Sequence, residues 1–345
     1  MAGGGTGGHV MPLLAVAAEL RRRSHEVVFI GTAAGLESRL VPAGGYRIEY
    51  IEIGGLRGLG LARRMATLLQ LPKATRRAMS ILAEEQPGAV FSLGGYVAAP
   101  VVLAAILARV PVVAMEPNAI PGVTNHRLGR WTTRTLLAFP EASAYFPRGT
   151  TEVTGLPVRE AFFNIEVKPR DRVFHVLVTG GSQGSRTLNH AARDAWPLLE
   201  RAAAPVTMTL QTGAAAYEEM RATFGGVSVA FLDDMPAAYA AADLIVCRSG
   251  AATLAELAAA AKPGILVPYP HAADDHQLHN AEVFGRAGAA RIVRDHEMTG
   301  ERLAQLIVEI ASEPERLERM SEAARNLAHE GAAHRAADIL VELLT

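Results

Sequence analysis

Apolar residues along this chain come in short unbroken runs, and most runs end in glycine, serine or threonine ahead of a helical pattern. Leu244 to Cys247 predicts a strand buried on both faces, because four consecutive apolar residues leave no face for solvent. Arg248, Ser249 and Gly250 predict a turn, and Ala251 to about Ala260 a helix. Ile265 to Val267 predicts another strand, and a polar loop opens a further helix near Gln277. The same grammar runs through the second half in FHVLVTGG (174–181), VTMTLQTG (206–213) and VSVAFL (227–232). It runs through the first half in VVFIG (27–31), YRIEYIEI (46–53), AVFSLGG (89–95) and PVVAM (111–115). Strands alternating with helices predict an α/β chain of two Rossmann-like, doubly wound parallel sheets.

The pattern breaks near 154–169, where GLPVR leads into the polar NIEVKPRDR, so the expected domains are 1–159 and 160–330. The segment from Glu315 to Thr345 follows Pro314 and reads as helical and amphipathic, with no internal proline. At the other end, MAGGGTGGHV is a glycine loop with no strand before it, and a helix is expected from Met11 or Pro12 to about Arg23. Such loops leave the C-terminal end of a strand, so a first strand is expected ahead of Met1 and is missing here; without it low stability is expected.

Composition narrows the class. The chain has 345 residues, half of them apolar and a fifth charged, which is a globular composition large enough for two domains. Its single cysteine, Cys247, falls in a predicted buried strand and reads as a core residue in a reducing compartment. The longest uncharged run, 86–108, is interrupted by Pro87, Gly94, Gly95 and Pro100, so it reads as strand, loop and helix rather than a membrane span. Residues 1–160 carry 17 Lys and Arg against 11 Asp and Glu, a balance of +6, and the rest carries 17 against 24, or −7. The basic half is the candidate for an anionic surface, above all 56–79, which mixes Leu and Met with Arg57, Arg63, Arg64, Lys73, Arg76 and Arg77 and contains no acid.

Candidate chemistry gathers at strand ends. A strand running through a Ser/Gly turn into a helix aims backbone N–H groups and the helix dipole at one point, which suits a phosphate. Glu256 lies one to two turns inside that helix, within reach of sugar hydroxyls beside the phosphate. An ordinary strand–turn–helix is the competing reading. Gly3, Gly5 and Gly8 match the dinucleotide fingerprint, but Gly31 and Thr32 stand where an acidic ribose ligand is needed, which counts against a nicotinamide cofactor. His9 at the helix start is an imidazole that titrates near neutrality, suited to proton transfer or to capping the turn. The loops Gly94-Gly95-Tyr96 and Glu116-Pro117-Asn118 end strands on the same sheet edge and imply a long cleft.

In order, GGGTGGHV, GGY, EPN, GLPVR, GGSQGSR, FLDDM, CRSGAATLAE and DDHQLHNA resemble the motifs of the MurG family, the bacterial UDP-N-acetylglucosamine transferases that make lipid II. The resemblance spans essentially the whole chain and implies the glycosyltransferase B fold, two Rossmann-like domains facing across a cleft with the final helix, about 331–345, returning to the first. It implies inverting transfer of N-acetylglucosamine to the C4 hydroxyl of undecaprenyl-pyrophosphoryl-N-acetylmuramoyl-pentapeptide (lipid I), in peptidoglycan synthesis. It further implies a peripheral enzyme on the anionic cytoplasmic face of the inner membrane, with no nucleic-acid partner. Leu232 would read uracil through its backbone and Glu256 would accept from the ribose. Arg159, Ser182 and the turn Ala251, Ala252 and Thr253, running on to Leu254 and Ala255, would surround the diphosphate. His276 and Gln277 would contact the donor sugar, while Thr6, Gly7, Gly8 and Asn118 face it from the first domain.

His9 is the expected base. Helix N-termini and Arg159 are expected to hold the leaving diphosphate, with no cofactor and no obligatory metal, since the chain has no D-x-D pattern. The chain departs from the family pattern at Leu156, where Asn is usual, at Pro117, where many members have Gln, and at His276, where some have a second Gln. Three other readings remain open: a different UDP-sugar transferase, an epimerase of UDP-N-acetylglucosamine, and a non-catalytic nucleotide-sugar sensor.

Overall fold

Aliphatic runs become parallel strands, and the polar residues between them become the turns and exposed helix faces. The computed structural model describes residues 1–5, 7–54, 61–166, 173–202 and 205–344, with the backbone alone over 61–69. Two units result, Met1–Val158 with Gly331–Thr345, and Arg159–Glu330.

The first unit runs α1 (Gly7–Arg22), β1 (Val28–Gly31), α2 (Glu37–Ala43), β2 (Arg47–Tyr50), α3 (Leu61–Glu85), β3 (Val90–Ser92), α4 (Gly95–Leu107), β4 (Val112–Glu116), α5 (Val123–Leu128), β5 (Arg134–Leu137) and β6 (Thr151–Val153). β1 pairs with β2, and β3, β4, β5 and β6 pair in that order, all parallel. Ala2 bridges both groups, contacting Ile30 on one side and Ser92 on the other. Its N–H donates to Phe91 and its carbonyl accepts from Leu93, at 2.8 and 3.0 Å. Met1 and Ala2 thus occupy the slot between β1 and β3. The Met1 ammonium donates to the Val28 carbonyl at 2.8 Å, and burial lowers its pKa to about 5. A cavity of about 200 Å³ beside it is lined by Met1, Val28, Val90, Phe91, Leu340 and Leu344.

α1 starts at Gly7, four residues before the expected Met11, so Gly7, Gly8 and His9 form its first turn and Pro12 lies inside it. As the sixth helical residue, Pro12 lies just past the N–H groups that lack intrahelical partners, so it removes one hydrogen bond of the second turn. β2 is shorter than its apolar pattern, and β5 and β6 were not anticipated. Arg134 and Thr135 interrupt the first of these, and the second is only three residues long.

The second unit runs β7 (Phe174–Thr179), α6 (Arg186–Arg201), β8 (Val206–Gln211), α7 (Tyr217–Thr223), β9 (Val227–Val229), α8 (Met235–Ala241), β10 (Leu244–Cys247), α9 (Ala251–Ala259), β11 (Gly264–Leu266), α10 (His276–Arg286), β12 (Ala290–Ile292), α11 (Gly300–Ala311) and α12 (Pro314–Asn326). Its six strands are parallel in the order β12-β11-β10-β7-β8-β9, a doubly wound sheet whose order reverses between β7 and β10. Val176, Val178, Leu210, Val246 and Ile265 from the sheet are buried against Leu188 of α6 and Leu303 and Ile307 of α11. Each such side chain contributes about 1.5–3 kcal/mol.

The helical C-terminal segment consists of two helices. α12 ends at Asn326, and after Gly331, at φ +79°, a terminal helix, Ala332–Glu342, begins and belongs to the first unit. There Arg335 pairs with Glu152 at 2.6 Å, and Arg23 of α1 pairs with Asp338 at 2.6 Å. No described helix is long and apolar enough to cross a membrane.

The basic segment 56–79 lies partly outside the described residues, which include nothing of Arg57 and no side chain of Arg63 or Arg64. Its described part corrects the expectation of a run without acidic partners. Lys73 pairs with Glu52 at 2.6 Å and Arg77 with Glu49 at 2.9 Å. Those acids come from β2 and the residues just after it, remote in sequence and adjacent in space.

Candidate active site

Each unit gathers candidate residues at the C-terminal ends of its strands. In the second unit, β7 ends in the loop 180–185, which carries Ser182 exposed at its turn. Gly184 holds φ +74°, and a Cβ there would stand 1.9 Å from the Thr212 carbonyl oxygen, so only glycine lets this loop lie against the end of β8. Ser185 caps α6, its hydroxyl accepting from the Leu188 N–H.

β10 ends at Cys247, and α9 begins after Gly250 with no side-chain cap and no acid in its first turn. The N–H groups of Ala251, Ala252 and Thr253 belong to that first turn, with Leu254 and Ala255 following. An uncapped N-terminus next to a glycine turn is an anion seat. Glu256 stands in the second turn, half-buried, and burial raises its carboxyl pKa to about 7, while the Arg159 charge pulls the other way. Arg159, the first residue of this unit, stacks on Phe162 at 5.1 Å, and its buried Nε has no hydrogen-bond partner among the described residues. Tyr239 packs edge-on against Phe162 at 5.3 Å and is fully buried. Cys247 is buried in β10 and its thiol is pushed far up by burial, which fits a core residue.

Leu232 lies half-buried in the loop between β9 and α8, whose start Asp234 caps by accepting from the Ala237 N–H at 3.0 Å. Gln277 ties the start of α10 to the neighbouring loops. Its Oε1 accepts from the Tyr269 N–H at 3.0 Å and its carbonyl from the Ser249 hydroxyl at 2.7 Å, while Nε2 lies near Gly250. His276 Nδ1 is 2.7 Å from the Ala273 carbonyl, an arrangement in which the ring N–H donates. The loop before it holds Asp274 and Asp275 at φ +48° and +49°, two successive non-glycine residues in the left-handed region.

Arg248 was read from sequence only as a turn residue, yet it organises this face. Its Nη1 donates to the Val267 and Pro268 carbonyls at 3.1 and 3.3 Å, and Nη2 to Ser185 Oγ at 2.8 Å. Asp295 lies 2.5 Å from Nη1 as a charge contact without hydrogen-bond alignment, and the guanidinium faces the Tyr269 ring at 5.5 Å. One side chain therefore joins the ends of β7, β10 and β11.

In the first unit, Thr6 lies outside the described residues. Gly7, Gly8 and His9 form the first turn of α1, and the His9 ring lies against Gly95, 3.7 Å from where a Cβ would stand. Asn118 follows β4, and its N–H and Nδ2 both donate to Glu116 Oε1, at 2.9 and 3.2 Å. Glu116 Oε2 accepts from the Gly122 N–H and Asn125 Nδ2, at 3.1 and 2.9 Å. The Thr124 hydroxyl donates to the Gly95 carbonyl at 2.8 Å, so the Asn118 and Gly95 loops are linked. Burial raises the Glu116 carboxyl to about 7 despite these donors. Glu37, unnoticed in the sequence, reaches the glycine loop and accepts from the Gly5 N–H at 2.8 Å.

Models of the glycosyltransferase family 28 N-terminal and C-terminal domains match residues 1–137 and 175–340. The chain belongs to that family. A UDP-N-acetylglucosamine–N-acetylmuramyl-(pentapeptide) pyrophosphoryl-undecaprenol N-acetylglucosamine transferase of Solibacter usitatus is 57% identical over 348 residues, covering 99% of this chain and 95% of its own. The protein of the same name from Myxococcus xanthus is 42% identical over 353 residues, covering 100% and 92%. Among solved structures, Acinetobacter baumannii MurG superposes with a TM-score of 0.79 at 34% identity, covering 98% of this chain and 97% of that one. The two-domain parallel α/β architecture of this family 28 chain is thus the glycosyltransferase B type.

Proposed function

We infer that this chain transfers N-acetylglucosamine from UDP-N-acetylglucosamine to the C4 hydroxyl of undecaprenyl-pyrophosphoryl-N-acetylmuramoyl-pentapeptide, with inversion and release of UDP. The observation that carries this reading is the uncapped start of α9, with Glu256 one turn further on and Arg159 beside it, in a chain whose full-length relatives bear that transferase's name. The α9 amides, Arg159 and Ser182 take the diphosphate, and charge developing on the leaving UDP meets fixed dipoles without the cost of reorganising water. Glu256 accepts from the ribose hydroxyls, the Leu232 backbone reads uracil, and His276 and Gln277 contact the sugar. Thr6, Gly7, Gly8 and Asn118 face that sugar from the first unit, and His9 removes the acceptor's C4 proton as the hydroxyl attacks the anomeric carbon.

The acceptor is lipid-borne, which calls for peripheral attachment to an anionic membrane, at the cytoplasmic face where UDP-sugars are available. The basic balance of residues 1–160 supports this, together with exposed Leu107 and Trp131 in the same unit, the latter stacked under Arg130 at 3.9 Å. Co-sedimentation with phosphatidylglycerol vesicles but not with neutral ones is the expected result.

The transfer itself is tested with radiolabelled UDP-N-acetylglucosamine and a lipid I analogue, using wild type, His9→Ala and Glu256→Ala. Acceptor-dependent product that both variants lose is expected, and exhaustive chelation should leave turnover intact. A changed sugar released without acceptor would point to epimerase chemistry instead.

A further inference from the structure

The first-unit loop poses a problem that the transferase reading does not solve. A glycine loop ahead of a helix has many accessible shapes, and the chemistry assigned to His9 needs one of them held to about half an ångström. Glu37, the first residue of α2, is 1% exposed. Its Oε1 accepts from the Thr32 N–H at 2.9 Å and the Thr32 hydroxyl at 2.7 Å, and its Oε2 accepts from the Gly5 N–H at 2.8 Å. The carboxylate is thus shared between the end of β1 and the glycine loop, 32 residues away in sequence.

Room for it is made by absent side chains. A Cβ on Gly4 would stand 2.3 Å from the Glu37 carboxyl carbon, one on Gly35 2.1 Å from Oε2, and one on Gly31 2.6 Å from Cγ. Gly5 itself, at φ +89°, packs on the Tyr96 ring, 3.2 Å from its would-be Cβ. In a dinucleotide fold the glycine-loop amides and the acid after the second strand both face the cofactor. Here the acid is present, six residues beyond Gly31, and it turns inward onto the loop's own amide. That leaves no ribose ligand at the end of β1 and gives the loop an internal anion in place of an external one.

We propose that Glu37 is a positioning residue: its carboxylate locks the Gly5 amide and so sets the place of the α1 first turn, from which His9 acts on the acceptor. The proposal rests on the transferase reading for its kinetic consequence and not for its geometry.

The test is Glu37→Gln, which keeps size but turns an N–H donor toward the Gly5 N–H, beside wild type and Glu37→Asp, which keeps the charge. Two readouts are taken on each full chain. The first is the Gly5 amide proton in a protein labelled with ¹⁵N-glycine. It is expected downfield and slow to exchange in wild type, and shifted upfield with faster exchange in Glu37→Gln. The second is acceptor-dependent transfer. kcat is expected to fall about 10- to 100-fold in Glu37→Gln, the loss of one charge-assisted hydrogen bond, with the KM for UDP-N-acetylglucosamine changed less than about twofold. Glu37→Asp should recover part of both signals. An unmoved Gly5 amide overturns the proposal, and so does an unchanged kcat in Glu37→Gln when wild type is active. Equal losses in kcat and in donor KM, with no recovery in Glu37→Asp, also overturn it, since that is general destabilisation. Wild type that makes no product overturns the transferase reading instead, and the amide signal still decides whether Glu37 holds the loop.

Discussion

Glu256 should make the donor site less stable than it could be, and replacing it should separate stability from binding. Burial raises its carboxyl from 4.5 to about 7 in the folded chain. A raised carboxylate pKa means that the folded state binds its proton more tightly than the unfolded state. The associated stability is complete below pH 4.5 and is lost as pH rises to about 7. The full difference corresponds to roughly 3 kcal/mol, and partial access to water cuts it to about 1–2 kcal/mol. Glu256→Gln keeps the shape and removes the charge, so at pH 8 it should unfold at higher urea than wild type by about that much. The gap should close as pH falls from 8 to 5. Donor binding should move the opposite way. A neutral amide loses the charged acceptor for the ribose hydroxyls, and UDP affinity measured by calorimetry should fall about 10- to 100-fold at pH 8. Wild type should itself bind UDP about tenfold more weakly at pH 6 than at pH 8, because the ionised fraction drops from about nine-tenths to about one-tenth. A variant less stable than wild type at pH 8, or a stability gap indifferent to pH, would refute the reasoning.

Ala252→Asp places an acid in the uncapped first turn of α9; UDP affinity should drop more than tenfold while thermal stability holds or rises, and calorimetry with a melting curve checks both. Arg248→Ala frees the ends of β7, β10 and β11 and leaves Asp295 without its cation, so urea unfolding should show a loss of about 3 kcal/mol; Arg248→Lys should recover little of it, because one ammonium cannot bridge three loops. His9→Ala should cut transfer by about 10²–10⁴-fold while leaving the UDP dissociation constant within about twofold of wild type, read by single-turnover kinetics and calorimetry.

Glu256 and Arg248 also show what the sequence makes legible and what it hides. The strand at 244–247 and the helix after it could be read directly, because four apolar residues, a Ser/Gly turn and an alanine-rich run each carry a local signature. Glu256 and His9 stand out as candidates because ordered motifs surround them. β5, β6 and β12 were not legible, since they are three or four residues long and Arg134, Glu152 and Arg291 break their apolar runs. The residues that hold the loops were hidden for a different reason. Glu37 binds a backbone N–H 32 residues away and Arg248 a hydroxyl 63 residues away, while Glu116 gathers two backbone amides and two side-chain amides from the loop after it and from α5. Backbone N–H groups exist at every residue but proline, so no pattern marks the ones a buried side chain will claim. What does mark them is glycine in excess of what turns require. Gly4 and Gly35 have ordinary φ values, yet each leaves the volume that Glu37 fills. A glycine that no turn explains is therefore a sequence-level pointer to a buried polar group nearby, and in this chain two of them point to the same carboxylate.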